Sequence, residues 1–129
     1  MRRFCIPILA LAGAAPLLMA SEAAESAPAF VPLAPLRVPI IDGARSTGSL
    51  GITIVLKAVD PAAATRLGAA MPVLRATALA TTLEFGRLYA SPLLPVDAAQ
   101  LSGQLTQALK AQDSGVERVL LVEVMARRG

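Results

Sequence analysis

The chain has 129 residues, enough for one domain. It is 55% hydrophobic and 16% charged, with no histidine, a single cysteine and a formal net charge of +3. The missing imidazole removes the usual base near neutral pH and the commonest metal ligand. Scattered positive charge, three Phe, one Tyr and no Trp are not the clustered cations and aromatic platforms of a nucleic-acid binder.

The chain opens "MRRFCIPILALAGAAPLLMASEAAESA". Arg2 and Arg3 form a basic lead, Phe4 to Ala20 an apolar segment, and Ser21-Glu22-Ala23 puts small residues at the positions that govern cleavage. This is the anatomy of a secretory signal over residues 1–23. The alternative is an uncleaved inner-membrane anchor, for which an apolar run broken by Pro7 and Pro16 is short. Cys5 leaves with a cleaved signal, so the mature domain is expected to have no disulfide and no thiolate ligand. The expected location is the periplasm, or the periplasmic side of the inner membrane if the segment is retained.

Residues 24–34, "AESAPAFVPLA", read as an extended linker, because Pro28, Pro32 and Pro35 exclude a helix. A single domain follows over 35–129. Leu36 to Ile41 is the first strand, and Pro39, which cannot donate to a ladder, makes it an edge. Asp42-Gly43 opens a turn, and Gly48-Ser49 closes a loop of several residues. Leu50 to Val59 is the second strand. Leu50, Ile52, Ile54 and Leu56 share a buried face; Thr53, Val55 and Lys57 share a wetter one.

Asp60 caps a helix that Pro61 begins. Leu67, Met71, Leu74, Ala78, Leu79, Phe85 and Leu88 then recur at helical spacing straight through Pro72. A proline inside a helix costs about 3 kcal/mol. The spacing therefore predicts two pieces, 61–70 and 72–89, with Pro72 opening the second and the apolar face keeping its phase across a kink. "SPLLPVD" is a proline-bounded loop, residues 91–97, ending at a second capping aspartate, Asp97. The helix it caps carries Leu101, Leu105, Ala108 and Leu109 on one face. Asp113-Ser114-Gly115 ends that helix. In "VERVLLVEVMAR" strict alternation puts Val116, Leu120, Val122 and Val124 on one face and Val119, Leu121 and Met125 on the other, which predicts a central strand. The order strand, strand, kinked helix, helix, strand predicts an α+β domain: a small antiparallel or mixed sheet with helices on one face.

The acids beyond residue 23 are Glu25, Asp42, Asp60, Glu84, Asp97, Asp113, Glu117 and Glu123. Asp60 and Asp97 have caps to make and Asp42 and Asp113 have turns. Glu117 and Glu123 lie on one strand, roughly 20 Å apart at about 3.3 Å per residue, too far for a carboxylate pair. Lys57 lies on a wet strand face, and Lys110 suits the end of its helix. No G-x-S-x-G elbow and no phosphate-binding glycine loop occurs. The residues predict no enzyme, no catalytic, cofactor-binding or metal-ligating site, and no cofactor.

In order and spacing these pieces resemble the extracytoplasmic domain of flagellar basal-body-associated FliL proteins and their FliL-like relatives. "LAPLRVPIIDG" is similar to that family's opening strand, and "GSLGITIVLKAVDPAAATRL" to its second strand and the start of its first helix. "MPVLRATAL" is similar to its proline-led helix, and "LSGQLTQALKAQDSGVERVLLVEVMAR" to its last helix and closing strand. The family's cytoplasmic lead and full transmembrane helix are replaced here by the short signal-like segment. Ala76 stands where an acidic residue often follows the arginine, and "VMARRG" replaces a polar, aromatic ending. The resemblance implies a noncatalytic envelope domain that associates with the flagellar motor or basal body, has a stomatin-like fold and can form rings. Its partner would be an envelope protein or a second copy of itself. The unpaired backbone of the edge strand Leu36 to Ile41, with Val38 within it, is the expected adhesive feature, and the alternative is a plain edge blunted by Pro39. The alternative is a small exported carrier of an apolar ligand or lipid, unrelated to motility.

Export with removal of residues 1–23 is the expected outcome. Mass spectrometry of the native protein checks it: a chain beginning at Ala24 fits, and an intact start in the membrane fraction identifies an anchor.

Overall fold

The computed structural model describes residues 29–129. The expected signal, Cys5 and Glu25 lie outside the described residues. In chain order the elements are β1 (Ala29–Pro32), β2 (Leu36–Asp42), β3 (Arg45–Ala58), α1 (Pro61–Ala69), α2 (Met71–Leu88), α3 (Ala98–Gln112) and β4 (Val116–Arg128). All strand pairing is antiparallel, and β1, β2 and β4 each pair with β3. β2 takes Arg45–Ile52 and β1 takes Val55–Ala58 along one side of β3, while β4 takes Gly48–Ala58 along the other. The fold is α+β.

β3 owes its place to the alternation visible in its sequence. Leu50, Ile52, Ile54, Leu56 and Ala58 are buried, and the residues between them are half-exposed. The buried set points toward the helices and meets Leu67 of α1, Leu74, Ala78 and Phe85 of α2, and Leu101, Leu105 and Leu109 of α3 in one core. Among the described residues no helix covers the other face of the sheet.

Helix starts follow the local chemistry. Asp60 Oδ1 accepts from the Ala63 N–H, with Pro61 as the first helical residue. Asp97 Oδ1 accepts from the Gln100 N–H at 3.0 Å. Ala70 joins α1 to α2: its N–H donates to Arg66 and Leu67, and its carbonyl accepts from Val73 and Leu74, each at 3.1 Å. Pro72 therefore stands in the first turn of α2, where its missing N–H would have had no partner within the helix.

Several expectations need correction. The hairpin loop is shorter than expected: Asp42 pairs with Arg45, so Gly43 and Ala44 alone make the turn, with Gly43 at φ 63°. That left-handed conformation suits glycine. β3 begins at Arg45, before the expected Leu50, and a bulge at Ile40/Ile41 takes up the extra residue. Within the expected linker, Ala29–Pro32 is β1, and the Leu33 N–H donates to Ile54 at 3.1 Å. The apolar stripe of α2 is narrower than its spacing suggests. Leu79 and Leu88 are exposed, and Thr82, its hydroxyl donating to the Ala78 carbonyl at 2.7 Å, takes a buried place.

β4 is an edge strand, and β3 is the central one. Two bulges break the alternation of β4, one between Thr53 and Ile54 of β3 and one between Lys57 and Ala58. Each adds a residue to β4 and resets its alternation. The residues opposite the buried face of β3 are Val116, Val119, Leu121, Val124 and Ala126. The apparent two-faced apolar pattern is one inner face read through two slips.

β2 is an edge as expected, but Val38 is only 1% exposed and belongs to the core. α2 lies close against this strand: a Cβ at Gly86 would come within 3.0 Å of the Pro39 carbonyl oxygen.

Leu74→Ala should cost about 2–5 kcal/mol in urea unfolding, as truncation of a fully buried leucine does. Val38→Lys places an unpaired ammonium in the core. The expected result is loss of cooperative unfolding, checked by near-UV circular dichroism.

Candidate interaction surface

The direction of backbone groups along β4 follows from β3. Ile54 accepts from Leu33, so its backbone faces the β1–β2 side. Polar groups alternate along an antiparallel strand. Ser49, Gly51, Thr53, Val55 and Lys57 therefore bond toward β4, on Arg127, Met125, Glu123, Leu120 and Arg118. Val119, Val124 and Ala126 of β4 turn their N–H and C=O groups outward, away from β3.

α3 satisfies the first of these. The Ser102 hydroxyl donates to the Val119 carbonyl at 3.1 Å, and the Val119 N–H donates to the Thr106 hydroxyl at 3.1 Å. Ser102 and Thr106 stand one helical turn apart, the spacing that lets two hydroxyls bracket one strand residue. Among the described residues no group bonds Val124 or Ala126 from this side. The edge of β4 is closed at Val119 and open from Val124 to Ala126.

Apolar surface borders the open half. Leu93 and Leu94, in the loop between α2 and α3, are 68% and 67% exposed, and Val122 is 65% exposed. With Pro92, Pro95 and Val96 this loop forms a shallow open groove of about 590 Å³ against Val124, Met125 and Ala126. Adjoining exposed apolar groups of this kind mark contact sites more often than singly scattered ones do. The edge of β2 is different. Pro39 has no N–H to offer, and its carbonyl lies close to Gly86. Arg75 ties down the link between β1 and β2, donating to the carbonyls of Ala34 at 2.7 Å and Pro35 at 3.2 Å.

The open sheet face carries a second concavity, of about 350 Å³, where Gly51 leaves room between Arg37, Thr53, Glu123, Met125 and Arg127. Its charges are mixed in sign, and its Arg127 Nε lies 2.9 Å from the Met125 sulfur.

The ionisable residues singled out in the sequence do not converge. Asp60 and Asp97 are caps, and Asp113 accepts from the Gly115 N–H at 2.8 Å. Asp42 closes the hairpin turn opposite Arg45. Lys57 pairs with Glu117 at 3.4 Å, and Lys110 lies in the last turn of α3. Glu84 meets Arg87 at 2.7 Å, and its hydrogen bond, then its charge, hold the guanidinium above its ordinary pKa; both side chains are on the exposed surface of α2. Among the described residues no three His, Cys, Asp or Glu side chains gather as metal ligands. No family model matches the chain, and no curated protein matches it.

Sequence reasoning missed the open edge of β4, its hydroxyl closure and the exposed loop. One available signal was "SPLLP": two leucines held between prolines belong to no helix face.

Thr106→Val removes the acceptor of the Val119 N–H and should cost about 1–2 kcal/mol. Hydrogen exchange checks the cause: the Val119 amide should exchange faster in the variant, with β3 amides unchanged relative to global stability.

Proposed function

We propose that the chain is a noncatalytic interaction domain of the cell envelope. It is exported by its N-terminal segment and works in the periplasm, or on the periplasmic side of the inner membrane if that segment is kept. The observation that carries this reading is the unpaired half of β4 beside Leu93, Leu94 and Val122, where open backbone and apolar side chains adjoin. The scattered ionisable groups support it from the other direction, since Asp60 and Asp97 are caps and Lys57–Glu117 and Glu84–Arg87 are surface pairs. The FliL-like order of elements extends the reading to a partner at the flagellar basal body. The carrier alternative has less to rest on. Leucines and Phe85 fill the space between sheet and helices, and the grooves described above lie on the outer surface.

A photo-crosslinking residue at Leu94, introduced into the native protein in living cells, tests the proposal. Covalent adducts with protein are expected at Leu94 and not at Thr65, on the exposed side of α1. Adducts that vanish in cells lacking basal bodies identify a motor partner. Lipid adducts at Leu94, or none, overturn the reading.

A further inference from the structure

We propose that the open half of β4 pairs antiparallel with the same segment of a second copy, about a two-fold axis through Met125. This identifies the partner within the interaction reading and rests on it. Backbone direction selects a small set of arrangements. A new strand can bond only where N–H and C=O groups point outward, as at Val124 and Ala126 in the open half, and in an antiparallel pair the bonded residues stand directly opposite one another. Arrangements whose axis falls between two residues set an outward-turned group against an inward-turned one and are excluded. Arrangements centred nearer Val119 meet backbone already bonded to Ser102 and Thr106.

Charge selects among the rest. An axis through Glu123 sets two carboxylates face to face, and one through Arg127 sets two guanidiniums face to face. Axes through Val124 or Ala126 leave both charges opposite neutral groups. The axis through Met125 alone places Glu123 of each copy opposite Arg127 of the other, twice, on the open face of the sheet. It also sets Val124 opposite Ala126 of the second copy, so that each pair exchanges two N–H···O bonds. Opposite charges directly across a strand pair are stabilising, and like charges are destabilising. Met125 then faces its own copy across a non-hydrogen-bonded position. The two loops bearing Leu93 and Leu94 border the same segment, so the pairing brings both apolar patches to its flanks. The sheets of the two copies join into one, the symmetric use of an edge that a closed dimer requires.

Sedimentation of the purified full chain, over a range of concentrations, reads the association. A concentration-dependent monomer–dimer equilibrium is expected. Glu123→Lys and Arg127→Glu should each weaken it roughly tenfold at low salt, less as salt rises. Mixing the two variants in equal amounts should restore it, because every facing pair in the mixed dimer is again of opposite sign. In a Cys5→Ser background, Met125→Cys should oxidise to a linked dimer, since facing Cα atoms at a non-hydrogen-bonded pair lie about 4.5 Å apart, within disulfide reach. Glu123→Cys, off the axis, should link far less. A wild-type chain monomeric at every concentration overturns the proposal. So does a dimer unmoved by either charge reversal, a mixture that fails to recover, or a Met125→Cys chain that does not link. Should a charge variant fail to fold, wild-type sedimentation and the cysteine pair decide. A monomer whose Leu94 still cross-links another envelope protein overturns the pairing and leaves the interaction reading standing. A monomer with no protein adduct at Leu94 overturns both.

Discussion

Every strand of this domain depends on β3. It runs from Arg45 to Ala58 and is bonded along one side by β1 and β2 and along the other by β4. Its inner residues Leu50, Ile52, Ile54 and Leu56 are at most 2% exposed. Burial of a side chain of this size stabilises by about 1.5–3 kcal/mol relative to leaving it exposed. A slip of one residue in β3 would turn this whole row to the open face and carry β2 and β4 with it. The register is fixed further by close approach: any side chain at Gly48 would overlap the carbonyl of Arg127 across the β3–β4 ladder. The helices then need only cover the row. α2 lies over β2 with Gly86 against Pro39, and α3 lies over β4 with Ser102 and Thr106 on Val119.

The parts of the fold that were legible in the sequence are those set by local chemistry. Asp60-Pro61, Asp97 and Pro72 act within one turn of chain, and the alternation from Leu50 to Leu56 is uninterrupted, so neighbours in space were not needed to read them. The parts that were not legible depend on the neighbours. Bulges in β4 arise where its ladder to β3 slips, and nothing in "VERVLLVEVMAR" marks the residues that are skipped. Whether an apolar strand is central or an edge depends on what lies beside it. Thr82 looked polar by type, yet a hydroxyl bonded to its own helix is compatible with the core. Leu79 and Leu88 had the right spacing, but α2 has sheet on only one side.

The candidate interaction surface divides in the same way. The roles of Asp60, Asp97 and Asp113 followed from their positions beside helix ends and turns. Pro39 marks β2 as an edge strand, and with it Val38 as part of a usable edge. The mark is correct for the backbone and says nothing of the side chain, which alternation turns into the core. The open segment of β4 emerges only when three things are placed together: the ladder on β3, the hydroxyls of α3 that reach Val119, and the loop of Leu93 and Leu94 that stops short of bonding Val124 and Ala126.

The hydroxyls of Ser102 and Thr106 have a consequence for the proposed pairing. A sheet with two usable edges has a valence of two, and copies adding to both ends make a filament. Here Pro39 withholds a donor from one edge, and its carbonyl lies against α2, while the other edge is open only beyond the residue that α3 has bonded. Under the proposed pairing, the β4 edge has a valence of one: a strand that joins consumes the site it joins, and growth through this edge stops. On that proposal the helix narrows the stretch of β4 that a second copy can join, and two side-chain oxygens draw its boundary at Val119.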